Sequence, residues 1–380
     1  MKQIKKILLI GTLASSILGF RSDLIKALIK QEFKVYAFVS ECSQDELNSI
    51  VALGVTPVIY QLNRGGLNPL ADITATYALS KKIKSIAPDL VFSYFSKPVI
   101  FGTLAAKLAK VPRIVGMLEG LGYTFTDQPE GLNKKTKLIK SAQVLLYKLA
   151  LPQLDKLIFL NPDDTKDLLE RYSIKVKQVE ILGGIGLNLN EYAYQPIDNI
   201  KRPIKFLFIG RLLKEKGIHE FIAAVRQVKQ RYPDAQFTVL GEVDSANLGA
   251  LQQSELDELT SSNIINYPGQ VKNVQDWIAD SHVFVLPSYR EGVPRSTQEA
   301  MAIGRAVITT NVPGCRETVI DGVNGFLVEK WNPKALADKM IYFIENPEQI
   351  KIMGDESYQI AQDKFDADKV NKRLMNILGL

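Results

Sequence analysis

Short apolar segments alternate with helical patterns from one end of the chain to the other. These segments are apolar throughout, which is typical of strands in parallel sheets that helices cover on both faces. In the first half the predicted strands are 6–10, 34–39, 56–60, 89–93, 113–117, 156–160 and 178–182. In the second half they are 204–209, 236–240, 263–267, 283–286, 306–310 and 325–328. Amphipathic segments such as 73–87 and 135–150 lie between them, so the sequence predicts an α/β protein.

The two series of strands are separated by the stretch NLNEYAYQPIDNIKRP, which contains the predicted linker at about 187–203. We therefore predict a Rossmann-like domain at 1–190, a second one at 200–361, and a C-terminal helix at about 362–380 that packs back on the first. A chain of 380 residues is too long for one ordinary core. Two doubly wound domains facing each other across a cleft would bind a ligand at the carboxyl ends of their strands.

The composition is that of a globular protein, with 46% hydrophobic and 23% charged residues. The charge is uneven: residues 1–195 hold 25 Lys and Arg against 17 Asp and Glu, and residues 196–380 hold 22 against 24. A basic first half indicates an anionic partner, such as nucleic acid, a phosphorylated substrate or an anionic membrane. No interleaving of basic and aromatic residues favours nucleic acid. Cys42 and Cys315 lie far apart without metal-binding spacing, which favours a reduced, cytoplasmic protein.

The first twenty residues, MKQIKKILLIGTLASSILGF, have the basic start and apolar middle of a signal peptide. The alternative is a buried strand at 6–10, a loop and a helix that opens near Ser16. The apolar part is interrupted by Gly11 and Gly19 and is too short to span a bilayer. Helical spacing also continues through FRSDLIKALIKQ. We therefore expect strand, loop and helix.

The loop after strand 204–209 reads GRLLKEKGIHEFI. Gly210 lets the chain turn, Arg211 and Lys216 supply two cations, and Gly217 precedes the next helix. Cations beside a helix N-terminus, where free N–H groups and the helix dipole favour negative charge, are suited to a diphosphate. A solvated basic turn is the alternative interpretation.

The stretch YREGVPRSTQEAMAIGRAVI, at 289–308, holds two glutamates eight positions apart. Gly292 provides a flexible backbone, Pro294 suits the first position of a helix that ends at Ile303, and Gly304 suits its C-terminal cap. Glu291 would then lie at the mouth of the helix and Glu299 roughly 7 Å along its axis. One carboxylate can meet a sugar and the other a ribose diol, with a diphosphate across the helix N-terminus. A nucleotide-diphosphate-sugar has this shape.

Two further positions complete the predicted ligand set. A base can lie against the backbone of 268–271, including Gly269 and Val271, after strand 263–267. We also assign Gly11, in the loop after the first strand, to the binding residues. No cluster with metal-binding spacing is present, and the Asp-x-Asp at 366–368 is interpreted as surface.

The segments GRLLKEKG, GGIGLNLNEY and PSYREGVPRSTQEAMAIGRAVITTNVPGCRETVIDGVNGFLV resemble the retaining GT-B glycosyltransferases of family four, which have two Rossmann-like domains. The resemblance covers about 180–345 and includes a Glu-x7-Glu signature at Glu291 and Glu299. It implies that Arg211 and Lys216 hold the diphosphate, that Glu299 holds the ribose, and that no metal or other cofactor is needed. It also implies that the donor sugar is held by Glu291 and the amides of Gly292, Val293, Pro294 and Arg295.

In the first half, FRSDLIKAL, LNRGGLNPL and GTLAAKLAKVPRIVGMLEGLGYTF resemble a narrower group. These bacterial transferases add N-acetylgalactosamine or a related sugar to an undecaprenyl-diphosphate-linked saccharide. Many members of family four carry a histidine in the N-terminal domain that faces the donor sugar, but here both histidines, His219 and His282, lie in the second half. The loop MLEGLG takes that place, which implies a catalytic role for Glu119. A loop carboxylate paired with a neighbouring Lys or Arg is the alternative.

The expected function is therefore transfer of a sugar from a UDP-sugar to a lipid-diphosphate-linked saccharide. The basic, amphipathic segment LNKKTKLIKSAQVLLYKLALPQL would rest on the inner face of the cytoplasmic membrane, although an ordinary core-facing helix fits equally well. Three other functions remain open: transfer to a soluble acceptor, nucleotide-sugar epimerisation and non-catalytic nucleotide-sugar binding. The lack of an N-terminal histidine disfavours the epimerase. The complete set of Arg211, Lys216, Glu291 and Glu299 disfavours a non-catalytic subunit.

Overall fold

The structure is a computed structural model that describes residues 5–40, 42–60, 69–198, 200–244, 247 and 249–380, without the side chains of 69–71. The described residues divide into two compact units. The first contains those of 1–125, 132–185 and 367–380, and the second contains those of 126–131 and 186–366. The segment LNRGGLNPL, quoted above, lies mostly outside the described residues.

Each unit contains one parallel sheet. The strands of the first are β1 (Lys6–Ile10), β2 (Lys34–Val39), β3 (Thr56–Ile59), β4 (Leu90–Tyr94), β5 (Arg113–Leu118), β6 (Lys156–Phe159) and β7 (Val179–Ile181). Those of the second are β8 (Lys205–Ile209), β9 (Gln236–Leu240), β10 (Asn266–Gly269), β11 (Val283–Leu286), β12 (Ala306–Thr310) and β13 (Gly325–Val328). The strands run in the orders β3-β2-β1-β4-β5-β6-β7 and β10-β9-β8-β11-β12-β13.

Helices connect the strands. They are α1 (Ala14–Phe20), α2 (Ser22–Lys30), α3 (Gln44–Ala52), α4 (Pro69–Ile86), α5 (Thr103–Leu108), α6 (Lys134–Ala150), α7 (Pro162–Thr165), α8 (Ile218–Arg231), α9 (Gln253–Ser261), α10 (Val274–Asp280), α11 (Arg295–Ile303), α12 (Pro333–Glu345), α13 (Pro347–Lys364) and α14 (Ala367–Leu378). Two doubly wound sheets with helical crossovers confirm the predicted α/β fold class.

The strand order reverses direction between β1 and β4 in the first sheet and between β8 and β11 in the second. Such a switch point leaves a crevice at the carboxyl ends of the two strands, because their crossovers go to opposite faces of the sheet. The loops at 210–217 and 287–294 leave β8 and β11 at this point. The topology therefore brings the two strongest sequence motifs of the second unit to one edge of its sheet.

The predicted strands are all present, with one clear shift in position. The strand predicted at 263–267 begins at Asn266, because the preceding residues close the C-terminus of α9. Asn263 has a φ of +52°, and the N–H groups of Ile264 and Ile265 both donate to the Leu259 carbonyl, at 2.9 and 3.3 Å. An apolar pattern alone does not distinguish these capping isoleucines from strand residues.

At the N-terminus, the prediction of strand, loop and helix is confirmed for the described residues. The strand β1 lies in the middle of its sheet, paired with β2 on one side and β4 on the other. The helix begins at Ala14 and is interrupted at Arg21, where α1 ends and α2 begins. This interruption places the Arg21 side chain in the interior of the first unit, where it is 2% exposed.

At the C-terminus, the helix predicted at about 362–380 is present as α14, which begins at Ala367. The helix α13 ends at Lys364, and the Phe365 carbonyl accepts a hydrogen bond from the Leu187 N–H at 2.9 Å instead of continuing the helix. The helix α14 then belongs to the first unit, where it packs on α2 through buried Val370, Leu374 and Leu378. Among the described residues, no helix is long and apolar enough to cross a membrane.

Candidate active site

The loops after β8 and β11 are joined by direct backbone contact. Gly217 has a φ of +74°, and a Cβ at this position would lie 2.0 Å from the Pro287 carbonyl oxygen. The Tyr289 N–H also donates to the Glu215 carbonyl at 2.9 Å. Only glycine combines a left-handed backbone with this close approach. The two loops therefore form one surface at the switch point.

Lys216 and Glu291 form an ion pair on this surface. Lys216 Nζ lies 2.5 Å from Glu291 Oε1, and the Ser288 hydroxyl donates to the same oxygen at 2.8 Å. The two charged side chains are 23% and 12% exposed, so the pair is accessible but largely shielded from water. Arg211 is exposed on the same loop as Lys216. The structure thus brings together Lys216 and Glu291, and it adds Ser288, which the sequence had not indicated.

Glu299 lies in α11 and is 9% exposed. Arg295 Nε donates to Glu299 Oε1 at 2.9 Å, and the Tyr192 hydroxyl also hydrogen-bonds the carboxylate. Burial raises the pKa of Glu299, while the Arg295 cation and the hydrogen bonds from Arg295 and Tyr192 lower it. Burial and Glu299 in turn raise the pKa of Tyr192. The carboxylate is held between a cation and a phenol inside the protein.

Two of these partners differ from the sequence-based interpretation. Arg295 was predicted to act through its amide, but its side chain bridges Glu299 and the Gly186 carbonyl, which accepts from Nη1 at 3.3 Å. Tyr192 lies in the segment that the sequence suggested to be a linker. Its place within the motif GLNLNEY was the available signal, because that motif belongs to the family resemblance rather than to a variable connection.

The turn at Gly292, Val293 and Pro294 is buried and tightly supported. The Glu291 N–H donates to the Pro313 carbonyl at 3.0 Å. Gly314 has a φ of +79°, and a Cβ there would lie 2.3 Å from the Glu291 carbonyl oxygen. The backbone at 313–314 therefore packs against the turn at 291–294 and holds it in place.

The helix after this turn ends where the sequence predicted, but it begins one residue later, at Arg295. It ends at Ile303, and Gly304 adopts the left-handed conformation with a φ of +89°, so the predicted C-terminal cap is confirmed. Pro294 is the N-terminal capping residue and not the first helical one, because its ψ of 124° is extended. The side chain of Pro294 makes no capping hydrogen bond to the helix. The N–H groups of the first turn of an α-helix lie at its N-terminal end, which here directly follows the Glu291 turn.

Gly269 and Val271 lie at the carboxyl end of β10, two strands from β8. Gly269 has a φ of +80° with open space where a side chain would be, and its carbonyl accepts from the Gly241 N–H at 3.0 Å. Val271 is half-buried in the loop before α10. Both residues thus belong to the same edge of the second sheet as the charged loops.

The first unit holds the other two predicted residues. Gly11 follows β1, and a Cβ at this position would lie 2.3 Å from the hydroxyl oxygen of Tyr94. The packing of Tyr94 therefore accounts for glycine at this position. Glu119 follows β5 and forms an ion pair with Arg21, and both side chains are buried. Burial raises the pKa of Glu119, and Arg21 opposes that effect.

In the part of the chain that the structure describes, no three His, Cys, Asp or Glu side chains are grouped as metal ligands. The Asp-x-Asp at 366–368 lies where α14 begins, and Asp366 forms an isolated parallel bridge with Leu187. That motif therefore lies in the connection between α13 and α14.

Two family models match the chain in separate segments. Residues 193–360 match "Glycosyl transferases group 1", and residues 6–161 match "Glycosyl transferase 4-like". The first match contains Arg211, Lys216, Glu291 and Glu299, and the second contains Glu119. The predicted resemblance is confirmed by both matches.

Curated relatives and solved structures agree with the family models. A Campylobacter jejuni N,N'-diacetylbacillosaminyl-diphospho-undecaprenol alpha-1,3-N-acetylgalactosaminyltransferase is 28% identical over 369 residues, 93% of each chain. An Escherichia coli UDP-Gal:alpha-D-GlcNAc-diphosphoundecaprenol alpha-1,3-galactosyltransferase is 26% identical over 272 residues, 68% of this chain and 67% of the relative. The crystal structure of Anabaena HepE in complex with UDP and glucose matches with a TM-score of 0.76 and 18% identity, covering 99% of this chain and 100% of that one. This last likeness shows a shared fold.

The support of the Glu291 turn can be tested with a matched pair of glycines. Gly314 and Gly322 have nearly the same φ, +79° and +76°, but only the Cβ of Gly314 would strike other backbone, since Gly322 faces open space. Replacing either by alanine introduces left-handed strain of about 1 kcal/mol. We expect Gly314→Ala to lower the free energy of unfolding by at least ~1 kcal/mol more than Gly322→Ala, as measured by denaturant titration. Equal losses would show that the contact does not support the turn.

Proposed function

We propose that this chain, which belongs to the group 1 glycosyltransferases, moves an N-acetylhexosamine from a UDP-sugar to an undecaprenyl-diphosphate-linked saccharide with retention of configuration. N-Acetylgalactosamine is the proposed sugar, and assembly of a bacterial surface polysaccharide or another glycan is the proposed context. The observation that carries the proposal is the grouping of Lys216 and Glu291 at the mouth of α11, with Glu299 buried further along the same helix.

The donor is assigned to the second unit. Arg211, Lys216 and the N–H groups of the first turn of α11 would bind the diphosphate, because all three favour negative charge. Glu299 would accept hydrogen bonds from the ribose diol, and Glu291 would orient the sugar. Gly269 and Val271 would contact the base through the backbone. The Anabaena HepE complexes with UDP and with UDP-glucose support a uridine nucleotide as the ligand of this fold.

The proposed reaction depends on the two cations beside the diphosphate, Lys216 and Arg211. In a front-side displacement, the bond from the anomeric carbon to the diphosphate oxygen breaks while the acceptor hydroxyl oxygen bonds to the same face of that carbon. The hydroxyl proton passes to the leaving phosphate oxygen. Lys216 and Arg211 would stabilise the charge that grows on the diphosphate, and their preorganisation favours the transition state over the ground state. No metal ion is needed in this scheme.

The acceptor is inferred from the relatives. The Campylobacter jejuni and Escherichia coli transferases both have names that specify a diphospho-undecaprenol acceptor, and the former transfers N-acetylgalactosamine. The first of them matches 93% of this chain, so its similarity includes the first unit, where Glu119 lies. We assign Glu119 to the part of the site that faces the transferred sugar.

The transfer itself is tested by a donor screen. Radiolabelled UDP-sugars are incubated with the protein and a synthetic polyprenyl-diphosphate-sugar acceptor, with and without EDTA. We expect UDP-N-acetylgalactosamine to label the lipid acceptor, the new linkage to keep the α configuration of the donor, and EDTA to leave the rate unchanged. Labelling of free saccharides alone would favour a soluble acceptor, and a product epimerised at the sugar would favour the epimerase. Loss of turnover in EDTA with recovery in Mg²⁺ would contradict the leaving-group chemistry.

The role of Glu299 is tested by calorimetric titration with UDP. Glu299→Gln keeps the shape of the side chain but removes the charge that accepts from the ribose and from Arg295. A buried hydrogen-bonding partner contributes about 1–3 kcal/mol, so Kd should rise roughly 5- to 150-fold. The control Glu348→Gln changes an exposed glutamate of α13 in the same unit and should leave Kd unchanged. Unchanged affinity of folded Glu299→Gln would reject the ribose assignment.

The helix α6 supports peripheral binding to an anionic membrane. Its Val144, Tyr147 and Ala150 are buried, which accounts for one apolar face as core. A second face exposes apolar side chains, with Leu138 72%, Leu145 59% and Leu149 55% exposed. The buried face agrees with the core-facing interpretation of this segment, and the exposed apolar face supports the proposed contact with a membrane. Lys134, Lys135 and Lys137 lie in the first turn of α6, next to the exposed face.

Cosedimentation with liposomes tests whether the exposed apolar face of α6 and its lysines bind an anionic membrane. Changing Lys134, Lys135 and Lys137 to Glu should release the protein from liposomes containing phosphatidylglycerol, because each basic side chain near the surface contributes about 1 kcal/mol. Leu138→Ser with Leu145→Ser should weaken binding without changing its salt dependence. The control Leu108→Ser removes an equally exposed leucine, 62% exposed, from α5 of the same unit. Equal partitioning of all variants would contradict the assignment.

A further inference from the structure

A buried ion pair lies at the carboxyl edge of the first sheet. Arg21 Nη2 donates to Glu119 Oε1, and the two side chains are 2% and 9% exposed. Arg21 interrupts the helix between α1 and α2, and Glu119 follows β5. Removing two charges from water costs free energy that their attraction offsets only in part, so a buried pair is a poor source of stability. Its position at the sheet's carboxyl edge indicates a functional role instead.

The Arg21 guanidinium is held from several sides. Its central carbon lies 4.6 Å from the centroid of the Tyr94 ring, and Nη1 donates to the Phe20 carbonyl at 3.2 Å. Tyr94 is the last residue of β4. Its position is fixed because its hydroxyl lies against Gly11 and 3.4 Å from the Ser16 hydroxyl. The switch point of the first sheet, between β1 and β4, thus supplies the surface on which Arg21 is oriented.

The charge of Glu119 depends on this arrangement. Among the described residues, Arg21 is the charged group that acts on the carboxylate, and Gly11 of the neighbouring loop brings no side chain. Tyr94 faces the pair as a neutral phenol, because burial raises its pKa to about 12. Burial raises the pKa of Glu119, and the Arg21 charge and hydrogen bond lower it. Removing Arg21 would leave the effect of burial unopposed.

We propose that Arg21 is a positioning residue that holds Glu119 as an oriented carboxylate, with Oε1 occupied by the guanidinium and Oε2 presented to a hydroxyl of the transferred sugar. This rests on the proposed function, since it takes a sugar to be the ligand of Glu119. Arg21 itself touches no reacting atom. It fixes one oxygen of the carboxylate, so the other oxygen has a single direction.

Steady-state kinetics over a range of pH tests the role of Arg21. Arg21→Met removes the charge and keeps most of the volume, and we expect kcat/KM at pH 7 to fall about 100-fold or more. The ionised carboxylate is the active form, so activity is lost as the pH falls through the pKa of Glu119. Because that pKa is higher without the cation, the loss should begin at a higher pH in Arg21→Met than in the parent. Arg21→Lys should lie between the two.

A double variant separates positioning from folding. Arg21→Met with Glu119→Gln has no buried charge, and replacing a buried pair by neutral groups is often neutral or stabilising. We expect it to fold with an unfolding midpoint near that of the parent, to bind UDP normally through the second unit, and to be as inactive as Arg21→Met. Parent-like activity in this variant would show that the pair is structural and would overturn the proposal. The double variant and Arg21→Lys carry the test if Arg21→Met does not fold.

A titration that does not depend on turnover distinguishes this proposal from the proposed function. In protein labelled with ¹³C at the glutamate carboxyl carbons, the signal absent from Glu119→Gln belongs to Glu119. Its titration midpoint should be higher in Arg21→Met than in the parent, and Arg21→Lys should again be intermediate. Equal midpoints would reject the positioning role whether or not the protein transfers sugar. If the parent fails to glycosylate the lipid acceptor while the midpoints shift, the proposed function is wrong and the coupling of the pair stands.

Discussion

The candidate active site of the second unit depends on two places where backbone lies directly against backbone. At Gly217 the loop after β8 meets the Pro287 carbonyl, and at Gly314 a neighbouring loop meets the Glu291 carbonyl, with a Cβ excluded in both cases. Both glycines have positive φ, so any other residue would introduce strain as well as a clash. These contacts place Lys216 against Glu291 and leave the N-terminus of α11 next to that pair.

Each of the three predicted carboxylates is paired with a cation. Glu291 pairs with Lys216, Glu299 with Arg295, and Glu119 with Arg21. Burial raises the pKa of Glu119 and of Glu299, and the neighbouring arginine opposes that effect in both cases. The three pairs also fix the direction in which each remaining oxygen can accept a hydrogen bond. A site arranged in this way reorganises little when charge develops on a substrate, which is the main source of electrostatic stabilisation in enzymes.

The helix α6 shows why a hydrophobic pattern can support two interpretations at once. Its residues satisfy the core of the first unit on one face and remain apolar on a second, exposed face. The proposed membrane contact would use the second face, since an anionic bilayer offers both apolar and electrostatic attraction. The sequence shows that α6 is apolar on more than one face. Only the burial of each side chain in the structure shows which of these faces belongs to the core.

The sequence by itself determined the fold class, the positions of the strands and the family, because buried parallel strands are apolar throughout and the motif residues are local in the chain. It also located α11 and its Gly304 cap from the turn residues alone. It did not reveal Arg21 as the partner of Glu119, or Tyr192 as a partner of Glu299, since these residues are 98 and 107 positions apart in the chain. Nor did it show that the Arg295 side chain is occupied, or that Asn263 to Ile265 close a helix. The two long-range pairings exist only once the chain has folded, because distance along the chain does not reveal which residues meet. Arg295 with Glu299 and the closure of α9 are contacts between near neighbours, but a pattern of residue types alone does not show which side chains or carbonyls are used.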